Sequence, residues 1–123
     1  NRFEQRAGMR SAALAEVYDL LKPGGVVGVV QHQAPESADD SWAAGQNGYL
    51  KRSAVISMFE QAGFELVASS AMNENPKDQP GASDYVWRLP PSLRGSKDDP
   101  AQLATVTAIG ESNRMTLKFI KPR

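Results

Sequence analysis

The sequence predicts an α/β fold in which a three-stranded mixed sheet is flanked by helices. Three observations predict it: an amphipathic helix that ends at Lys-Pro-Gly-Gly, an apolar β-branched run directly after it, and an alternating run near the end of the chain. The chain has 123 residues, of which 41% are apolar and 23% charged. This length and composition are typical of one globular domain, which we expect to span residues 1–123.

The first helix and the first strand are predicted from the opening third of the chain. Apolar residues recur at three- and four-residue spacing from about Glu4 to Leu21, which indicates an amphipathic helix. Pro23 cannot continue that helix, and the two glycines after it permit the chain to leave. The run from Val26 to Val30 is apolar on both faces, so residues 26–31 are predicted to form a buried parallel strand.

A second helix and a second strand follow a polar loop. The helix is predicted from about Ser53 to Ala62 and ends at Gly63, where a C-terminal cap belongs. Residues 64–71 then form the second strand. A strand, a helix and a strand of these lengths make a right-handed crossover, so we expect the two strands to be parallel.

Residues 73–113 are predicted to be a long insert before the last strand. Within the insert, Asp99 as N-cap, Pro100 in the first turn and Gly110 as the stop predict one short helix. The closing "RMTLKFI" alternates apolar and polar residues, which indicates a half-buried strand at 114–121. We expect this strand to lie antiparallel between the other two, in the order first, last, second.

Composition excludes several classes of function. Lys and Arg number 14 and so do Asp and Glu, and a neutral chain without a basic block is a poor candidate for nucleic acid or anionic membranes. With no cysteine and one histidine, no spacing resembles a metal site, and we predict no metal. No apolar run approaches the ~20 residues of a transmembrane helix. A cytoplasmic and a periplasmic location both remain open.

Polar residues from three distant segments are expected at one edge of the sheet. Ligands of open α/β sheets bind outside the carboxyl ends of the parallel strands. The first strand delivers Gln31 and His32 to that edge, and "MNENPKD" after the second strand delivers Asn75 and Asp78. The last strand, being antiparallel, begins at the same edge with Arg114. The topology alone therefore predicts a site there.

Each of these residues also has a structural interpretation. His32 is either a near-neutral base or a hydrogen-bonded loop residue. Arg114 either binds a carboxylate or phosphate with its planar fork, or holds Glu111 or Asp78 in place. Asn75, which precedes a proline, either contacts a ligand or makes a side-chain-to-backbone turn.

The order of elements and several motifs resemble the C-terminal half of class I S-adenosylmethionine-dependent methyltransferases, and in particular a group of bacterial predicted methyltransferases. The motifs are "LKPGGVVGVVQH", "GYLKRSAVISMFEQAGFELVASS", "NPKD", "LPPSL" and "AIGESNRMTLKF". The resemblance implies a partial Rossmann-like methyltransferase fold with its N-terminal, cofactor-binding half upstream of this sequence. Members of the group often carry an acidic residue at the positions of Gln31 and Asn113.

The resemblance implies a function as well as a fold. It makes S-adenosyl-L-methionine the methyl donor, with no cofactor-binding residue in this chain. His32 would be the catalytic base or an acceptor contact, and Gln31, Asn75, Asp78 and Arg114 would position an unidentified small-molecule acceptor. The alternative is a non-catalytic α/β module that binds a small molecule or associates with itself. We expect a homo-oligomer in either case, through the exposed first strand or the N-terminal helix.

Overall fold

The computed structural model describes the backbone of residues 2–123 and the side chains from residue 8 onward. The elements are α1 (Arg2–Leu20), β1 (Val26–Ala34), β2 (Leu50–Lys51), α2 (Arg52–Gln61), β3 (Glu65–Ser70), the 3₁₀ turn η1 (Val86–Arg88), α3 (Pro100–Ile109) and β4 (Arg114–Ile120). Among the helices described, none has both the length and the apolar character that a membrane crossing requires.

The sheet has the order β2-β1-β4-β3. Both β1 and β3 pair antiparallel with β4, so they run parallel to each other, and the predicted order of the three long strands is confirmed. The register runs from Val26 opposite Ile120 to His32 opposite Arg114. This register carries the end of β1 and the start of β4 to the same edge.

The predicted number of strands is wrong, because a fourth strand adds to the outer edge of β1. Leu50 and Lys51 pair in parallel with Gln33 and Ala34. β1 extends to Ala34, past the predicted end at residue 31, and this extension gives the returning loop a backbone to pair with. A two-residue strand shows no alternation in a sequence, so only the tertiary fold reveals it.

The main core lies on one face of the sheet. Buried side chains of α2 and β4 form it together with Phe64, which directly precedes β3, and Phe59 stacks on Phe119 with ring centroids 4.4 Å apart. From α1, Tyr18 meets the edge of Phe64 at 5.1 Å. The buried members of this core are Val55, Phe59, Phe64, Met115, Leu117 and Phe119.

The opposite face of β1 is open, which corrects the prediction of a strand buried on both faces. Val27 and Val29 pack against the core, whereas Val26 and Val30 are 49% and 55% exposed. The reason is that α1 and α2 both pack on the core face. The apolar run identifies the strand, but the neighbouring elements decide which of its faces is covered.

The helix ends follow local chemistry. The Asp99 side chain accepts a hydrogen bond from the Gln102 backbone N–H at 3.1 Å and Gly110 has φ = 84°, as predicted for α3. α2 is capped from a distant loop, because the two carboxylate oxygens of Glu36 accept bonds from the backbone N–H and the hydroxyl of Ser53. These bonds from Ser53 lower the pKa of Glu36 below its ordinary value.

Candidate functional site

The predicted edge of the sheet carries a cleft of about 250 Å³. Its polar side comes from the end of β1, the start of β4 and the two residues at 111–112. Its apolar side comes from the insert, at η1 and the proline segment after it. The lining residues are His32, Val86, Trp87, Leu89, Pro90, Pro91, Ser92, Glu111, Ser112 and Arg114. The cleft therefore lies where the topology predicts a site.

The His32 imidazole is held by one nitrogen and open at the other. Nδ1 shares a hydrogen bond with the Ser112 hydroxyl, and Nε2 has no hydrogen-bond partner among the residues described. Burial lowers the pKa of His32 below 6.5, the nearby Arg114 guanidinium lowers it further, and Asp78 has a smaller, raising effect. The ring is therefore neutral at pH 7, and a neutral imidazole can accept a proton.

Arg114 holds Glu111, which is one of the two alternatives that the sequence left open. Its Nη2 lies 3.3 Å from Glu111 Oε2, and the side chains are 31% and 69% exposed. The Nε of Arg114 is buried and has no partner within the described part of the chain. Only part of the hydrogen-bonding capacity of the Arg114 guanidinium is therefore used within the described part of the chain.

Asp78 lies in the interior, so the structure does not support its predicted contact with a substrate. The residue is 3% exposed, and its carboxylate accepts bonds from the Arg88 guanidinium at 2.9 Å, the Tyr49 hydroxyl at 2.8 Å and the Asn113 backbone N–H at 3.0 Å. The carboxylate joins the insert to the start of β4, which makes Asp78 a structural residue beneath the cleft.

The partners of Asp78 form a closed polar network. The Tyr49 hydroxyl donates to Asp78 and accepts from Arg88 at 3.0 Å. Burial raises the pKa of Tyr49 far above its ordinary value. Burial alone would lower the pKa of Arg88, but the bonds to Tyr49 and Asp78 outweigh it and raise that pKa. The network therefore keeps Tyr49 neutral while Arg88 and Asp78 form a buried ion pair.

Asn75 and Gln31 also support the site instead of lining the cleft. The side-chain amide of Asn75 donates to the carbonyls of Ile109 and Glu111, both at 2.7 Å, and its Oδ1 accepts from the Lys77 N–H. This is the turn interpretation of Asn75. The Gln31 amide donates to the carbonyls of Gly48 and His32. Both side chains bind backbone groups, and their contacts with a substrate stay predictions.

Three residues that the sequence does not mark as candidates complete the arrangement. Ser112 orients His32, while Tyr49 and Arg88 hold Asp78. Ser112 stands two positions before Arg114 in "GESNRM", which was the available signal. Tyr49 and Arg88 carry no signal, because residues far apart in sequence meet only in the fold. Among the described residues, no three His, Asp or Glu side chains are grouped so that they could hold a metal ion.

Comparison with known proteins gives one informative likeness. No family model and no curated protein matches the chain. Among solved structures, the chain is similar to the [4+2]-cyclase SpnF, at 20% sequence identity and a TM-score of 0.53. The match covers 91% of this chain and 44% of the SpnF chain, so this chain spans less than half of SpnF. SpnF has a methyltransferase-like fold, and at this identity the likeness shows the fold alone.

The cleft is small and carries little acidic charge. Pockets for drug-sized ligands have volumes of roughly 300–1,000 Å³, and the cleft, at about 250 Å³, is smaller. Glu111 is the one carboxylate that lines it, and Glu111 is already paired with Arg114. The lining therefore offers no free carboxylate to a nucleoside with a charged amino-acid tail, and the volume suits a smaller molecule.

Proposed function

We propose that this chain is the acceptor-binding part of an S-adenosylmethionine-dependent methyltransferase. The observation that carries the proposal is the neutral His32 imidazole in a cleft at the carboxyl end of β1, where its Nε2 has no partner within the described part of the chain. The motif resemblance points to the same reaction class, and the likeness to SpnF, itself a [4+2]-cyclase with a methyltransferase-like fold, supports a related α/β fold. The cofactor of that class supplies a methyl group on a sulfonium sulfur.

The residues of this chain would bind the acceptor and receive its proton. A hydroxyl of the acceptor beside His32 would transfer its proton to Nε2, which leaves the electron pair on the acceptor oxygen as the nucleophile. Ser112 would keep the ring in place through Nδ1, and Arg114 would fix the orientation of the acceptor. Positioning and one proton transfer are what a methyl acceptor needs from its site.

The test measures the acceptor-dependent release of S-adenosylhomocysteine by the gene-encoded protein that contains these residues. We expect His32→Gln to lower kcat by about 10²–10⁴-fold, which is the usual contribution of a general base. Lys118→Gln, on the exposed side of β4, is the matched control and should leave kcat unchanged. Full activity of His32→Gln, or no release with any small hydroxylated acceptor, would refute the proposal.

A self-associating module is the second candidate, and the open edge of β1 favours it. β2 pairs only with Gln33 and Ala34, so the outer edge of residues 26–31 has no strand partner among the described elements. We propose that β1 of a second copy pairs there, antiparallel across a two-fold axis. Such a contact would pair the free backbone N–H and C=O groups of both edge strands at once. The zero net charge of the chain does not oppose this contact.

A further inference from the structure

The guanidinium of Arg114 has hydrogen-bonding capacity that the protein leaves unused. Among the described residues, its Nε is buried without a partner, its Nη1 has no hydrogen bond, and its Nη2 is paired with Glu111, whose side chain is mostly exposed. A buried N–H without a partner costs free energy, whereas a carboxylate can accept two parallel bonds from an arginine fork. Arg114 is therefore a ready partner for an anion in the cleft.

The rest of the cleft restricts the kind of anion. The cleft that Arg114 lines is also lined by the apolar side chains of Trp87, Leu89 and the two prolines at 90–91, which form a hydrophobic wall. A phosphate or another fully hydrated anion would gain nothing from this wall. An acid with a compact apolar body would bury that body against it.

Arg114 is the cationic residue that lines the cleft, and it favours an anion over a cation. Arg88 adds no free positive charge, because its guanidinium forms an ion pair with Asp78. Asp84 is a second acidic neighbour, with its carboxylate 3.7 Å from Arg88 Nε. The Arg114 charge is felt at His32, where it helps to lower the pKa of the ring. A bound carboxylate would be a second partner for Arg114 beside Glu111, whose side chain is mostly exposed.

We infer that the cleft binds a small carboxylic acid, with its carboxylate on Arg114 and a body of about one ring against the wall formed by Trp87, Leu89, Pro90 and Pro91. This inference rests on the proposed function, because it names the acceptor class: a hydroxy acid whose hydroxyl reaches His32 Nε2. The carboxylate subsite can nevertheless be tested by binding alone, without any methyl transfer.

The experiment titrates the 123-residue chain with benzoate and follows amide and imidazole signals by NMR. Benzamide has the same shape without the charge and is the matched probe. We expect benzoate to bind in the millimolar range, which corresponds to roughly −4 kcal/mol, and to shift signals of His32, Ser112 and residues 86–92. Benzamide should bind at least about tenfold more weakly, because it cannot form a charge-assisted pair.

Two variants of Arg114 separate the contribution of bidentate hydrogen bonding by the guanidinium from the contribution of its positive charge. Arg114→Gln should weaken benzoate binding about tenfold or more, and Arg114→Lys should recover part of it, since lysine keeps the charge but loses the bidentate geometry. Lys118→Gln removes a positive charge elsewhere on β4 and should leave binding within about twofold. The spectrum of each variant reports whether it is folded.

The outcomes are decisive for the subsite. Equal affinity for benzoate and benzamide, no effect of Arg114→Gln, shifts confined to residues away from the cleft, or no binding at about 10 mM would each overturn it. If benzoate binds as expected while no acceptor supports the release of S-adenosylhomocysteine, the carboxylate subsite stands and the proposed methyl transfer fails.

Discussion

Replacement of Asp78 by alanine should destabilise the protein more than any single change on its surface. The Asp78 side chain is fully buried, and its loss would leave three groups without their acceptor: the Arg88 guanidinium, the Tyr49 hydroxyl and the Asn113 backbone N–H. Arg88 is itself almost fully buried, so its charge would remain in the interior without Asp78.

The size of the effect follows from these contacts. Removing one partner of a buried ion pair costs about 3–5 kcal/mol, because the other charge stays buried and uncompensated. Asp78→Asn keeps the size of the side chain and an acceptor oxygen, so its cost should be nearer to about 1.5–3 kcal/mol. A domain of this size has a total stability of about 5–15 kcal/mol, so Asp78→Ala removes a large share of it.

Asp84 provides the matched control. Its carboxylate lies 3.7 Å from Arg88 Nε and is 38% exposed, so Asp84→Asn should cost only about 0–1 kcal/mol. Urea unfolding followed by tryptophan fluorescence measures all three variants, since Trp42 stacks on Tyr49 at 5.3 Å and reports on the network directly. A loss of less than about 1 kcal/mol for Asp78→Ala, or one no larger than that of Asp84→Asn, would refute the reasoning.

Three further predictions concern the single histidine, a glycine and the sheet edge. An NMR titration of His32 should give a pKa below 6.5, and Arg114→Gln should raise it, because the neighbouring positive charge is removed. A lowered folded-state pKa means that the unfolded chain binds the proton more readily. The stabilising contribution of His32 is therefore complete above pH 6.5 and is lost as the pH falls from there through the folded-state pKa. In urea titrations at successive pH values, His32→Gln should reduce the dependence of the unfolding free energy on pH over this range. Gly48→Ala should lower the unfolding free energy by about 2–4 kcal/mol in the same urea assay, because its φ is +86° and the new Cβ would collide with Val86, whereas Gly8→Ala meets open space and should not destabilise. Light scattering at tens of micromolar should show a dimer that Val30→Lys converts to a monomer while Met72→Lys, another exposed apolar position, does not; a wild-type mass of 13.3 kDa would contradict the edge-pairing proposal.

The sequence by itself determined the α/β class, the three long strands with their order, and the edge at which the cleft lies. These follow from local signals: the apolar run at 26–30, the alternation of β4, and the Asp99 and Gly110 caps that begin and end α3. They could be predicted because side-chain periodicity and capping act between residues close in sequence. The convergence of His32 and Arg114 then followed from topology, and their cross-strand pairing confirms it.

Only the tertiary structure decided what each polar residue at that edge does. In the sequence, Asp78 and Asn75 are polar candidates just as Arg114 is. In the fold, the Asp78 carboxylate accepts hydrogen bonds from Arg88 and Tyr49, and the Asn75 amide donates to the carbonyls of residues 109 and 111. Among the described residues, Arg114 keeps an unpaired N–H and His32 an unpaired Nε2 in the cleft region. The physical reason is that a buried polar group must be paired, and its partner can come from anywhere in the chain. Composition and spacing identify the candidates, and the packing of distant segments selects among them.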